Sequence, residues 1–195
     1  FTFRSLSELL DYGVDVRMVQ IGNETNGSMC GVGGLYDEVW DLSSGVAELM
    51  KQGCRAVDEI NTLYKRDIKK VLHFTQLISQ GEWYAEQAEK MGVNYDVYAA
   101  SFYPMWDGAA SDMSAVLTRI AGKYHKKVLV AETAYPYTFE SGDGKVRCIY
   151  DYSAMRYSDY PVSISGQAMA LYDCLNGIAK VNDYFPGHGL GVFYW

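Results

Sequence analysis

The feature that most constrains the fold of this chain is an alternation between two hydrophobic periods. Short, near-continuous apolar runs stand at 15–21, 70–74, 95–103, 127–132 and 190–195. Between them lie stretches whose apolar residues recur every three or four positions, the signature of helices with one buried face. The clearest is 43–63, where Val46, Leu49, Met50, Gly53, Val57 and Ile60 share a face. Others cover 81–91, stopping at Gly92, the region of Met113, Val116, Leu117, Ile120 and Tyr124, and a segment from Ser165 carrying Ala168, Leu171, Leu175 and Ile178. Ser5 followed by Glu8 reads as a capping box opening a short first helix that ends near Gly13. Strands alternating with helices predict parallel βα units, and unbroken apolar strands predict a sheet covered on both faces. An open doubly wound sheet and part of a (β/α)8 barrel both satisfy that pattern.

A nucleotide-binding sheet loses ground at once, because no GxGxxG follows a strand. The glycine-rich loop from Gly27 to Gly34 does not lead directly into a patterned helix and reads as a surface loop. The net charge of −7 argues against a nucleic-acid partner held through phosphates. No run reaches the length of a membrane span. Cys30, Cys54, Cys148 and Cys174 form no CxxC pair, and His73, His125 and His188 are scattered, so no metal centre is predicted. Cys54 and Cys174 fall on helical apolar faces and read as small buried thiols, although an even count leaves disulfides open. Tyrosine is abundant, 17 residues against 7 phenylalanines. Its apolar face and polar tip suit stacking on polar ligands.

Two of the expected strands end in glutamate, Glu24 and Glu132. In parallel βα folds the C-terminal strand edge is where ligands bind. Cleavage of a glycosidic bond requires two carboxyl groups, one to protonate the leaving oxygen and one to attack carbon or activate water. The plain alternative is that either glutamate caps a helix or pairs with a lysine, and the spacing alone does not decide.

The surrounding residues bear on that choice. The segment 18–24, MVQIGNE, resembles the fourth-strand motif of the endo-β-1,4-galactanases of glycoside hydrolase family 53. Residues 101–106, SFYPMW, are similar to that family's sixth strand, and 130–136, VAETAYP, to its seventh. Tyr160 to Ser163 with Gly166-Gln167 resembles the approach to the next helix, and 191–195, GVFYW, the eighth strand. The motifs stand in family order over essentially the whole chain. The resemblance implies an α/β fold, the C-terminal part (about strands four to eight) of a (β/α)8 TIM barrel. It implies one partial catalytic domain over 1–195, truncated at both ends, since a whole barrel takes about 250 residues. Such a chain alone is expected to present two open sheet edges and to turn over weakly or not at all.

By the same resemblance, Glu24 is the general acid/base, Asn23 bonds the sugar 2-hydroxyl, Glu132 is the nucleophile and Trp195 is an aromatic platform for the cleaved sugar. Tyr103 is the sixth-strand residue near the nucleophile, with core packing as its alternative. Trp106, Tyr135 and Tyr137 are candidates to stack on sugars in outer subsites, or to anchor packing. The implied activity is endo-hydrolysis of β-1,4-galactan or arabinogalactan with retention, outside the cell or at its surface, with no cofactor required. Bacterial relatives can bind calcium in the loops after the seventh and eighth strands. Here Glu140 to Gly144 supplies acidic oxygens without a ligand series, and a solvated turn is the plainer reading. Phe102 and Asp107 depart from the family pattern, which has Tyr and His there. A retaining β-glycanase of the same clan acting on another polysaccharide, and a non-catalytic carbohydrate-binding barrel, are the rival readings. A cysteine hydrolase lacks a Cys/His arrangement at any strand end.

Overall fold

A computed structural model describes residues 1–33, 45–145 and 147–195. The last glycine of the expected loop, Gly34, and positions 43–44 of the expected long helix lie outside the described residues. The chain divides into two compact units, one formed by 1–75 and 82–99, the other by 76–81 and 100–195. Helix α3 (Leu77–Lys90) and strand β3 (Val97–Ser101) each contribute residues to both.

The first unit holds α1 (Thr2–Asp11), β1 (Met18–Gln20), α2 (Gly45–Tyr64) and β2 (Lys69–Phe74). Strands β1 and β2 run parallel, Met18 opposite Lys69 and Gln20 opposite Val71. The apolar face of α2 is buried from Val46 to Ile60, and α1 packs on it through Leu6 and Leu10. Gly53 permits close approach to β1: a Cβ there would stand 2.5 Å from the Ile21 side chain. Phe74 stacks between Tyr84 and Tyr98, at 5.2 and 5.3 Å between ring centres. Burying a ring of that size contributes about 2–3 kcal/mol. Lys70 is held in β2 with its stem covered and its ammonium 2.8 Å from Asp58.

Ser5 is not a cap. It sits inside α1, its N–H bonded to the Phe1 carbonyl, and Glu8 pairs with Arg4 one turn earlier. The helix had begun before the position at which a capping box would act. Its end at Gly13, with φ of 81°, is as expected.

The second unit contains α4 (Pro104–Asp107), α5 (Ala110–Tyr124), β4 (Lys127–Thr133), α6 (Ile164–Ala179), α7 (Val181–Tyr184) and β5 (Gly189–Tyr194). Strands β4 and β5 are parallel with two register shifts. Helix α6 starts at Ser163, whose hydroxyl accepts the Gly166 N–H at 3.0 Å. It crosses α5 closely at Gly177, where a Cβ would meet Met113 at 2.6 Å.

Covering on both faces holds for β2 and β3, buried at every residue but Lys69. It does not hold for β1 and β5, whose residues are largely half-buried or exposed. Each is the outer strand of its own unit, with β2 and β4 respectively as its ladder partner.

Gly166 gives a direct stability test. A Cβ on it would lie 1.8 Å from the Pro161 carbonyl oxygen, which is backbone and cannot swing aside. Gly166→Ala is expected to destabilise the protein by about 2–3 kcal/mol, as overpacking does, read as a lowered midpoint in thermal or denaturant unfolding.

Candidate active site

In the first unit the site residues occupy the turn that leaves β1. Gly22 takes φ of 81° and Glu24 φ of 46°, a left-handed conformation that a side-chain-bearing residue adopts only where its surroundings impose it. The end of β2 supplies the constraint. The His73 carbonyl accepts from both the Thr25 N–H, at 3.0 Å, and the Thr25 hydroxyl, at 3.2 Å. Asn26 exchanges two hydrogen bonds with the Thr75 backbone, at 2.8 and 3.1 Å. The His73 ring, fully buried, places Nδ1 3.2 Å from Asn23 Oδ1. Asn23 itself is exposed and Glu24 half-buried. These contacts hold the Asn23-Glu24 pair in the turn beyond β1.

In the second unit Glu132 is the penultimate residue of β4, its carbonyl accepting from the Phe102 N–H at 2.9 Å. The Tyr103 hydroxyl donates to Glu132 Oε2 at 2.8 Å, so Tyr103 lies against that carboxylate. A hydrogen bond of this kind fixes the orientation of the carboxyl group and which of its oxygens is engaged. Tyr103 is in turn held by Asp107, whose Oδ2 accepts its backbone N–H at 2.7 Å, and by Trp106, edge-on at 5.4 Å. Asp107, which departs from the family pattern, therefore has a structural task here.

Trp106 anchors its ring N–H on the Ala154 carbonyl and leaves 36% of its surface open. Trp195 donates its backbone N–H to the Thr133 carbonyl and exposes 81% of its surface. Tyr137 is also exposed. Tyr135 takes the packing alternative. It is 3% exposed, packed with Met105, Ile149 and Ala170, and its hydroxyl donates to the Tyr160 carbonyl at 2.6 Å. A ring enclosed in this way offers no face to a sugar. Burial also pushes its pKa up, so it remains a neutral donor.

The sequence assigns no role to three residues whose contacts organise these units. Gln167 donates to the Tyr135 carbonyl and to the Tyr194 hydroxyl, tying α6 to the end of β5. Tyr160 donates to Asp173 at 2.7 Å, and its pKa is raised by burial and then by that carboxylate. His73 has a signal in the sequence, a polar residue within an apolar strand, although no metal-ligand spacing accompanies it.

All four cysteines are free, Cys54 and Cys174 buried as expected, Cys30 and Cys148 exposed. Burial pushes the Cys174 thiol up to about 11, which keeps it protonated and a poor nucleophile. In the acidic turn, the Lys145 N–H and the Ser141 hydroxyl bond Asp143 Oδ1 and hold its carboxyl below the usual range. Among the described residues, 140–144 forms no cluster of three side chains able to hold a metal.

Comparison with known proteins adds independent information. The family model described as Glycosyl hydrolase family 53 matches residues 1–195. An endo-beta-1,4-galactanase of Bacillus subtilis (strain 168) is 39% identical over all of this chain and 42% of its own length. An arabinogalactan endo-beta-1,4-galactanase of Cellvibrio japonicus (strain Ueda107) is 26% identical over all of this chain and 50% of its own. Among solved structures, the Ignisphaera aggregans GH53 catalytic domain superposes on all of this chain and 51% of its own, with TM-score 0.82 and 29% identity. The chain thus spans about half the length of the relatives it matches.

Proposed function

The chain belongs to glycosyl hydrolase family 53, with the fold of the C-terminal part of a (β/α)8 barrel, and on that premise we propose that the whole protein is an endo-acting β-1,4-galactanase. Its substrates are galactan and arabinogalactan, and it works with retention through two glutamates. The observation that carries this reading is the family match over all 195 residues. Local geometry supports it: Glu24 stands in the turn that leaves β1, Glu132 is the penultimate residue of β4, and the Tyr103 hydroxyl engages one oxygen of Glu132.

The chemistry needs carboxyl groups about 5 Å apart and no cofactor. Glu132 attacks the anomeric carbon through the oxygen that Tyr103 leaves free. The bond to the leaving sugar breaks as Glu24 gives its proton to that sugar's oxygen. The product is a glycosyl ester on Glu132. Water then passes a proton to Glu24 and attacks the same carbon, releasing Glu132 and a sugar of the original configuration. Asn23 steadies the 2-hydroxyl, and Trp106 and Trp195 offer apolar faces on which sugar rings stack. An extracellular or cell-surface location accompanies this reading, because a polymeric substrate does not cross a membrane. Among the described residues no helix is long and apolar enough to span one.

The test is digestion of galactan, mannan and cellulose by the full-length protein. Galactan is expected to lose viscosity well before reducing ends accumulate, with proton NMR showing β-anomers first. Cleavage of mannan or cellulose in place of galactan would support the clan rival. Binding without release of oligosaccharide would support the carbohydrate-binding one, and α-anomers appearing first would refute retention.

A further inference from the structure

We propose that Gln20 and His73 are positioning residues which lock the Asn23 side-chain amide in one orientation, with its NH2 group as the face offered to a bound sugar. This rests on the reading of Asn23 as a sugar ligand, but the orientation itself follows from hydrogen bonds within the first unit. A backbone carbonyl can only accept. The Gln20 side chain places an amide atom 2.9 Å from the Gly22 carbonyl, so that atom is Nε2. The same Nε2 lies 3.0 Å from a terminal atom of Asn23, which must therefore accept and is Oδ1. That oxygen lies 3.2 Å from Nδ1 of His73. Two acceptors would not face one another at that distance, so Nδ1 carries a proton and donates. Amide and imidazole orientations are assigned from such networks, and here a backbone oxygen anchors the series. The alternative, a bare Nδ1 accepting from the Glu24 N–H, has a 3.5 Å contact, at the outer limit of a hydrogen bond.

The consequence is functional. With two donors on Oδ1, Asn23 meets its ligand as a donor and requires an acceptor lone pair, as on a hydroxyl. His73 is fully buried, so water does not take its place. Without this pair, the amide is no longer held in one orientation, and its hydrogen bond to the hydroxyl is no longer preorganised for the reacting geometry.

The experiment has two arms on the full-length protein. Nitrogen-15 NMR of labelled histidine reads the tautomer of His73 directly: a protonated Nδ1 is expected, and a bare Nδ1 with a protonated Nε2 overturns the proposal. In the second arm an aryl β-galactoside is compared with its 2-deoxy analogue. The native protein is expected to prefer the hydroxylated substrate by about tenfold or more. Gln20→Glu, which sets an acceptor against Asn23 at an exposed position, is expected to lose most of that preference, mainly in kcat. His73→Asn keeps a donor near the Nδ1 position and should retain it, whereas His73→Phe should not. Preference unchanged in Gln20→Glu overturns the proposal. A native protein inactive on every galactoside sinks the galactanase reading instead, and the NMR arm then decides the orientation alone.

Discussion

Glu132→Gln is expected to lower kcat on galactan by about four orders of magnitude, ~5.5 kcal/mol of lost transition-state stabilisation. An amide of the same shape cannot form the ester intermediate. The substitution is mild for the fold, because the amide oxygen can still accept from the Tyr103 hydroxyl, which now bonds Oε2. Unchanged circular dichroism and an unfolding midpoint within a few degrees should therefore accompany the loss. Glu132→Ala sharpens the test by opening space where the proposed nucleophile stands. Azide admitted there should attack the anomeric carbon of an aryl β-galactoside, expel the phenolate and give the α-galactosyl azide. A variant that keeps native turnover would remove Glu132 from the mechanism. Rescue yielding the β-azide would remove it as the nucleophile.

Much of this arrangement was legible because hydrophobic period and strand-end position are local properties. The apolar runs at 70–74 and 127–132 became β2 and β4 with small changes of boundary, and the 43–63 pattern became α2 where it is described. Glu24 and Glu132 stood out as charged residues closing apolar strands. Properties decided by distant residues were less readable. The run 15–21 shrank to three strand residues, since a ladder needs a partner and β2 matches only Met18 to Gln20. Tyr135 looked like a stacking residue because its neighbours in sequence are strand-end residues. Its burial is set by Met105, Ile149 and Ala170, which no local pattern links to it. The contacts of His73 with Asn23 and of Asp107 with the Tyr103 backbone are likewise particular hydrogen bonds, and spacing carries no trace of them. The strained φ of Glu24 was also invisible, because its residue type gives no warning of it.

The strain at Glu24 bears on the second large effect. A left-handed conformation at a non-glycine residue costs about 1–3 kcal/mol. It is maintained here by Thr25 and Asn26, both bonded to the end of β2 through backbone groups. Removing the carboxyl therefore leaves the turn in place, and Glu24→Ala should be folded and lack only a proton donor and acceptor. Its deficit should depend on the leaving group. On galactan, whose departing sugar oxygen needs a proton, kcat/KM is expected to fall by about 10²–10⁴, the range of general acid catalysis. On a 2,4-dinitrophenyl galactoside, whose phenolate leaves unprotonated, the first step should proceed at close to the native rate. The second step still needs Glu24 to activate water, so the glycosyl ester on Glu132 should accumulate. The signature is a burst of dinitrophenolate equal to the enzyme concentration, then slow turnover that azide accelerates to the β-galactosyl azide. The opposite anomers expected from azide in the two alanine variants separate the two carboxyl groups by chemistry alone. Equal losses on both substrates, with no burst, would show that Glu24 does not handle the leaving-group proton.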